Sequence, residues 1–211
     1  LKSNVIILTG GLSGSSILAG LISKKGYWLG DRTEKINYQT YENSELVRLN
    51  INLFREAGYS WHDVMEIPPP SVNDLYRLSL KPGIDKYIEF VQKCNDNQPW
   101  LWKDPRLSYT IFFWREFLNI GKCKFILMSR DIRQSWTGIV LRGKTPISFK
   151  NMRIVEQNCI RSSRKFLKKE EISFLDITFE DLILEPEKMV NLISKYLAID
   201  LSLNELESIY K

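Results

Sequence analysis

Val5-Ile6-Ile7-Leu8-Thr9-Gly10-Gly11-Leu12-Ser13-Gly14-Ser15-Ser16 is the stretch that decides the fold. The apolar run from Val5 to Leu8 reads as a buried strand, and Ile17-Leu18-Ala19-Gly20-Leu21-Ile22 behind it reads as an apolar helix. Between them lies a glycine- and serine-rich turn. Strand, tight loop, helix is the order by which α/β proteins hold phosphate. Backbone N–H groups of such a loop converge on one spot, and the helix dipole adds positive potential there. The glycines allow close approach and positive φ, while the serines add hydroxyl donors. The loop also departs from the nucleotide-hydrolysing pattern G-x-x-x-x-G-K-[ST]. Thr9 stands at the first glycine and Ser15 at the lysine. An ordinary kinase or ATPase is therefore disfavoured. A plain β–α turn without a ligand is the competing reading.

Working outward, the 211 residues suit one α/β domain over 1–211. Apolar residues make up 44% and charged residues 26%, as in ordinary globular chains. No run is long enough to span a bilayer, and no signal-peptide pattern precedes the first strand. Cys94, Cys123 and Cys159 are widely spaced and match no zinc or disulfide pattern. That fits a reducing compartment, so a cytoplasmic location is expected. The net charge of +5 suits an anionic ligand such as a nucleotide but is too mild to indicate nucleic-acid binding.

Further along, Tyr27 to Gly30 reads as a short strand and Asp31 to Thr40 as a polar loop. Leu46, Leu49, Leu53 and Phe54 recur at helical spacing between Glu42 and Glu56. Pro68-Pro69-Pro70 marks an excursion or lid from Tyr59 to Leu80. Ile84, Tyr87, Ile88 and Val91 mark another helix. Trp100 to Trp102 is a third strand, followed by an aromatic helix from about Leu107 to Leu118. Cys123 to Met128 is a fourth strand, with helices near Ile132–Leu141 and Ser148–Leu167. Ile172 to Ile177 is the last strand, and a closing helix starts at Pro186. This alternation implies a doubly wound, mostly parallel sheet with a P-loop-like phosphate-binding loop and helices on both faces.

Ligands of such sheets sit at the carboxyl ends of the strands. Three ends here are polar in a patterned way: the serine loop, then Lys103-Asp104-Pro105-Arg106, then Arg130-Asp131. They put Lys103, Arg106 and Arg130 around one crevice. A nucleotide with phosphates at two points matches that arrangement.

At these residues the sequence resembles the sulfotransferases that use 3′-phosphoadenosine-5′-phosphosulfate (PAPS). It is more similar to their bacterial and tyrosylprotein branches than to the cytosolic steroid and phenol enzymes. Leu8 to Asp31 resembles the family's 5′-phosphosulfate loop and its helix. Trp102-Lys103-Asp104-Pro105-Arg106-Leu107 resembles its K-D-P-[RF] signature. Phe125 to Asp131 resembles the strand and arginine that hold the 3′-phosphate. Phe179-Glu180-Asp181-Leu182 with Pro186 resembles the C-terminal block.

The resemblance implies sulfuryl transfer to a small-molecule, carbohydrate or peptide acceptor, releasing adenosine 3′,5′-bisphosphate (PAP). The transferring group carries less charge than a phosphoryl group, so no metal is expected. In-line positioning and fixed positive charge supply the catalysis instead. Gly11, Leu12, Ser13, Gly14, Ser15 and Ser16 would hold the 5′-end, Lys103 would stabilise the transferring group, and Arg130 would fork onto the 3′-phosphate. The expected general base is Glu42, with Asp104 second. Helix-start placement is the plain alternative for Glu42, and a salt bridge to Lys103 or Arg106 is the better expectation for Asp104. His62, the single histidine, precedes the third strand and reads as a surface or lid residue.

Three departures stand out. Leu12 replaces the family's basic residue. Gly138 replaces its 3′-phosphate serine, for which Ser135 or Thr137 could stand in. A late basic-glycine loop is not recognisable before Lys211, and Arg142-Gly143-Lys144 is the candidate substitute. They keep two other readings open: a catalytically weak relative that binds nucleotide or acceptor, and a P-loop small-molecule kinase.

Overall fold

The computed structural model describes residues 2–35, 38–59, 64–65, 67–141 and 147–209. Its elements in chain order are β1 (Asn4–Thr9), α1 (Ser15–Ser23), β2 (Thr33–Lys35), β3 (Gln39–Asn43), α2 (Ser44–Glu56), α3 (Val72–Leu78), α4 (Asp85–Asp96), β4 (Leu101–Lys103) and α5 (Leu107–Trp114). They continue with β5 (Cys123–Ser129), α6 (Ile132–Leu141), α7 (Phe149–Lys169), β6 (Phe174–Thr178), α8 (Phe179–Leu184), α9 (Pro186–Leu197) and α10 (Leu203–Glu207).

The central sheet has four strands in the order β4-β1-β5-β6, each neighbour parallel to the next. β1 is buried along its whole length, as an inner strand covered on both faces must be. Its side chains alternate between the faces. Ile6 and Leu8 join a core with α2 to α5 and α7. Val5 and Ile7 join a second core with α1, α8, α9 and α10. The α/β architecture expected from the alternating pattern is therefore present. Because all strands run the same way, β1, β4, β5 and β6 end on one edge. Ile7 lies beside Lys103, and Thr9 lies beside Met128.

Several local expectations change. Tyr27 to Gly30 forms no strand, and only Trp28 makes an isolated bridge, to Trp100. Gly26 and Gly30 both take positive φ and bracket the segment too closely for a longer ladder. The expected loop from Asp31 to Thr40 contains an antiparallel hairpin, β2 with β3. Its polar composition hid it, because the residues that β3 buries, Thr40 and Asn43, are themselves polar. Glu42 belongs to β3 rather than to a helix start. The cap of α2 is Asn43, whose side chain accepts from the Glu45 and Leu46 amides. α5 stops at Trp114, short of Leu118. The proline-rich excursion carries α3, capped by Ser71. His62 and the Arg142-Gly143-Lys144 segment lie outside the described residues. Phe112, Phe113, Trp114 and Trp100 are core residues.

Candidate functional site

The glycine-rich loop leaves β1 and is tied down from below. Thr9 accepts through its carbonyl from Ser108 Oγ at 2.7 Å, and Ser108 accepts from Ser162 Oγ at 2.6 Å. The loop is thus anchored to α5 and α7. Thr9 Oγ1 donates to Ser13 Oγ, which ties the start of the loop to its far side. Gly14 precedes α1 with φ 77°. A Cβ there would meet the Phe179 ring at 2.2 Å, so no other residue fits. Leu12 also takes positive φ, 61°, a conformation that costs an L side chain energy. The amides of Ser15 and Ser16 open α1 and have no intrahelical acceptor.

Lys103 ends β4 and is 4% exposed. Its Nζ donates to Glu42 Oε1 at 2.5 Å, to the Thr40 carbonyl at 3.3 Å and to Ser16 Oγ at 3.3 Å. Three partners match the three N–H donors of an ammonium. The structure therefore brings together Lys103, Glu42 and the glycine-rich loop. Burial pushes the Glu42 carboxyl above its ordinary value. The Lys103 charge opposes that rise, and the nearby Asp104 charge adds to it. The outcome is a carboxyl that holds its proton more tightly than an exposed glutamate.

Asp104 is fully buried. Its Oδ1 accepts from the Arg106 amide at 3.0 Å and from Arg106 Nη1 at 2.9 Å. Its Oδ2 accepts from Asn50 Nδ2 at 2.8 Å, while Asn50 Oδ1 accepts from Trp114 Nε1 at 2.8 Å. This chain fastens the β4 end to α2 and α5, and it orients Arg106 through Asp104.

On the other flank, Arg130 follows β5. Its guanidinium lies 4.2 Å from the Phe179 ring centroid and donates to Gln134 Oε1 and to the Leu12 carbonyl. Phe179 thereby touches both Gly14 and Arg130. Ser135, on α6, is buried, and its Oγ has no hydrogen-bond partner among the described residues. A Cβ at Gly138 would meet nothing within 4 Å.

Sequence assigned no role to Asn50 and placed Phe179 only within the C-terminal block, because the contacts of both cross the fold. It also missed Glu156, on α7. Met152, Val155, Cys159 and Phe166 mark that helix's buried stripe, and Glu156 falls on it. A charged residue on an apolar stripe was the available signal.

Similarity to solved structures follows the same architecture. The whole chain superposes on 78% of the "Sulfotransferase Domain from the Curacin Biosynthetic Pathway", with a TM-score of 0.62 and 14% identity. The fold is that of a sulfotransferase. A second such structure is the "Sulfotransferase Domain from the Synechococcus PCC 7002 Olefin Synthase". There 99% of this chain covers 77% of that one, with a TM-score of 0.53 and 16% identity. No sequence-family description matches the chain, nor does any curated protein sequence. In this sulfotransferase fold, no cluster of three or more His, Cys, Asp or Glu side chains among the described residues could hold a metal ion. No described helix is long and apolar enough to cross a membrane.

Proposed function

We propose that this chain transfers a sulfuryl group from PAPS to a hydroxyl or amine acceptor. The observation that carries the reading is the contact of Lys103 with both Ser16 of the phosphate loop and Glu42. It unites a fixed cation, an anion-binding loop and a candidate base at one strand end. The residues suit the nucleotide chemically. Amides of Ser15 and Ser16 and the Lys103 ammonium are donors near one point, and Arg130 supplies a fork on the other side of the loop. When bound, PAPS would supply the sulfuryl group and leave as PAP.

Lys103 holds positive charge where negative charge would build, which is the most productive use of a buried cation. All three of its donors have partners, so an incoming oxygen enters by displacing one. Glu42 receives the acceptor's proton. Its side chain is 15% exposed, so an acceptor can reach it, and its raised value brings it closer to the working pH of a general base. Asp104, with both oxygens engaged, acts as the brace of Arg106 and Asn50. The acceptor is a small molecule, a carbohydrate or a peptide.

A second reading, a weak relative that binds without efficient turnover, is favoured by Leu12, which brings no charge to the loop. Single-turnover sulfonation, read by mass spectrometry alongside PAP calorimetry, decides between them. Lys103→Ala and Glu42→Gln should each lower the rate by roughly 10²-fold or more while PAP binding changes far less. Glu42→Gln should also flatten the acidic limb of the pH–rate profile. Unchanged rates in both variants would remove the assignment. ATP binding as tight as PAP without metal would turn the reading towards a kinase.

A further inference from the structure

A shallow cavity of about 750 Å³, broadly open to solvent, lies between α7 and the carboxyl end of β5, lined among others by Arg130, Glu156, Gln157, Arg161, Arg164 and Lys165. It adjoins the phosphate loop on the side away from Lys103. Two features of its lining call for a ligand.

The first is Glu156. It is 7% exposed, and neither carboxyl oxygen has a hydrogen-bond partner among the described residues. A buried polar group without a partner is costly, and native folds satisfy nearly all of them. The carboxyl lies directly against the loop, and a Cβ on Gly10 would meet its Oε2 at 2.1 Å. Burial alone pushes Glu156 up to about 7, with no cation near enough to hold its charge in place. A protonated carboxyl carries one O–H donor, and that donor needs an acceptor.

The second feature is charge. Gln157, Arg161, Lys165 and Lys168 follow one another at three- and four-residue spacing and share one side of α7. Arg164 is bound to Asp176 of β6 at 2.7 Å. Arg161, Lys165 and Lys168 have no carboxylate within ion-pair distance among the described residues, and all three line the cavity. An open cavity rimmed by exposed cations, over a buried carboxyl without a partner among the described residues, suits an anion with several acceptor oxygens.

We propose that this cavity is a second anion pocket, in which a phosphate or sulfate monoester is held by Arg161 and by a hydrogen bond from Glu156. The inference rests on the PAPS reading of the main site for its location, but not for its chemistry. Two sources can provide the ester: the 3′-phosphate of the nucleotide, reaching past Arg130, or an ester on the acceptor. In the first case α7 adds a cationic contact to the 3′-phosphate beside Arg130.

The test is calorimetry with PAP, with AMP, and with 4-nitrophenyl phosphate on PAP-saturated protein, for the unaltered chain and for Arg161→Ala, Glu156→Leu and Glu156→Gln. Glutamine keeps a donor and should retain binding, whereas leucine should lose it. If the nucleotide is the source, Arg161→Ala and Glu156→Leu weaken PAP by about 10-fold or more and AMP hardly at all. If the acceptor is the source, the same variants leave PAP intact and abolish 4-nitrophenyl phosphate binding. Unchanged binding of all three ligands in folded variants overturns the pocket while leaving the main-site reading standing, provided PAP still binds better than AMP. A chain that binds neither nucleotide overturns the main-site reading. The pocket is then judged on 4-nitrophenyl phosphate with the nucleotide-free protein, where lack of binding overturns it too.

Discussion

Replacing Glu156 by glutamine keeps the side chain's shape and removes its ionisation. The ordinary carboxyl value is 4.5, and burial pushes Glu156 up to about 7. The folded chain therefore binds this proton more tightly than the unfolded chain does. The stabilisation this brings is complete below about 4.5 and is lost as pH rises through about 7. Above that pH the fold carries a buried, unpartnered carboxylate. The displacement corresponds to about 3 kcal/mol at full ionisation. Solvent screens little of it, because the residue is 7% exposed. The glutamine variant lacks this dependence. Its unfolding free energy, relative to the unaltered chain, should rise by about 2.5 kcal/mol between pH 5 and pH 8. Comparing the two proteins cancels every other titration. Urea unfolding at four pH values across that range measures it. Parallel stability curves would show that Glu156 ionises as it does in water. They would refute the buried neutral acid on which the pocket argument draws.

Three further outcomes are expected. Gly14→Ala forces a Cβ into the Phe179 ring at a left-handed position, which should cost about 2–4 kcal/mol and lower Tm measurably. Asn50→Leu strands the Trp114 N–H and one Asp104 oxygen, at a cost on the order of 3 kcal/mol in urea unfolding. Arg130→Ala removes a charge-assisted fork and should weaken PAP by about 1.5–3 kcal/mol, with a much smaller loss for AMP. Equal losses for the two nucleotides would make Arg130 a brace of the loop through Leu12 and Phe179.

The chain order of strand, glycine loop and helix was legible because it rests on local chemistry. Apolar runs predict buried strands, glycines predict positive φ, and strand ends in a parallel sheet meet on one edge. Lys103, Arg130 and the loop could therefore be assigned to one crevice from sequence alone. The β2–β3 hairpin was not legible, because its residues are mostly polar, including Thr40 and Asn43, which it buries, so no hydrophobic alternation marks them. That hairpin is what carries Glu42 to Lys103 across 61 residues of sequence. Sequence shows which residues are chemically able to react. It does not show which of them have their hydrogen bonds already spent. Asp104 and Glu42 are both acidic and both near Lys103, yet Asp104 is locked by Arg106 and Asn50 while Glu42 keeps an exposed edge. Glu156 looked like one more charged residue on a helix until packing turned it inward against Gly10, with no partner among the described residues. The sequence by itself determined the parallel α/β scaffold and the glycine-rich loop between its first strand and helix, since both follow from periodicity and glycine placement. Only the tertiary structure decided which carboxyls are bound, which are buried and which keep an exposed edge, because burial and partnership are set by contacts between distant segments.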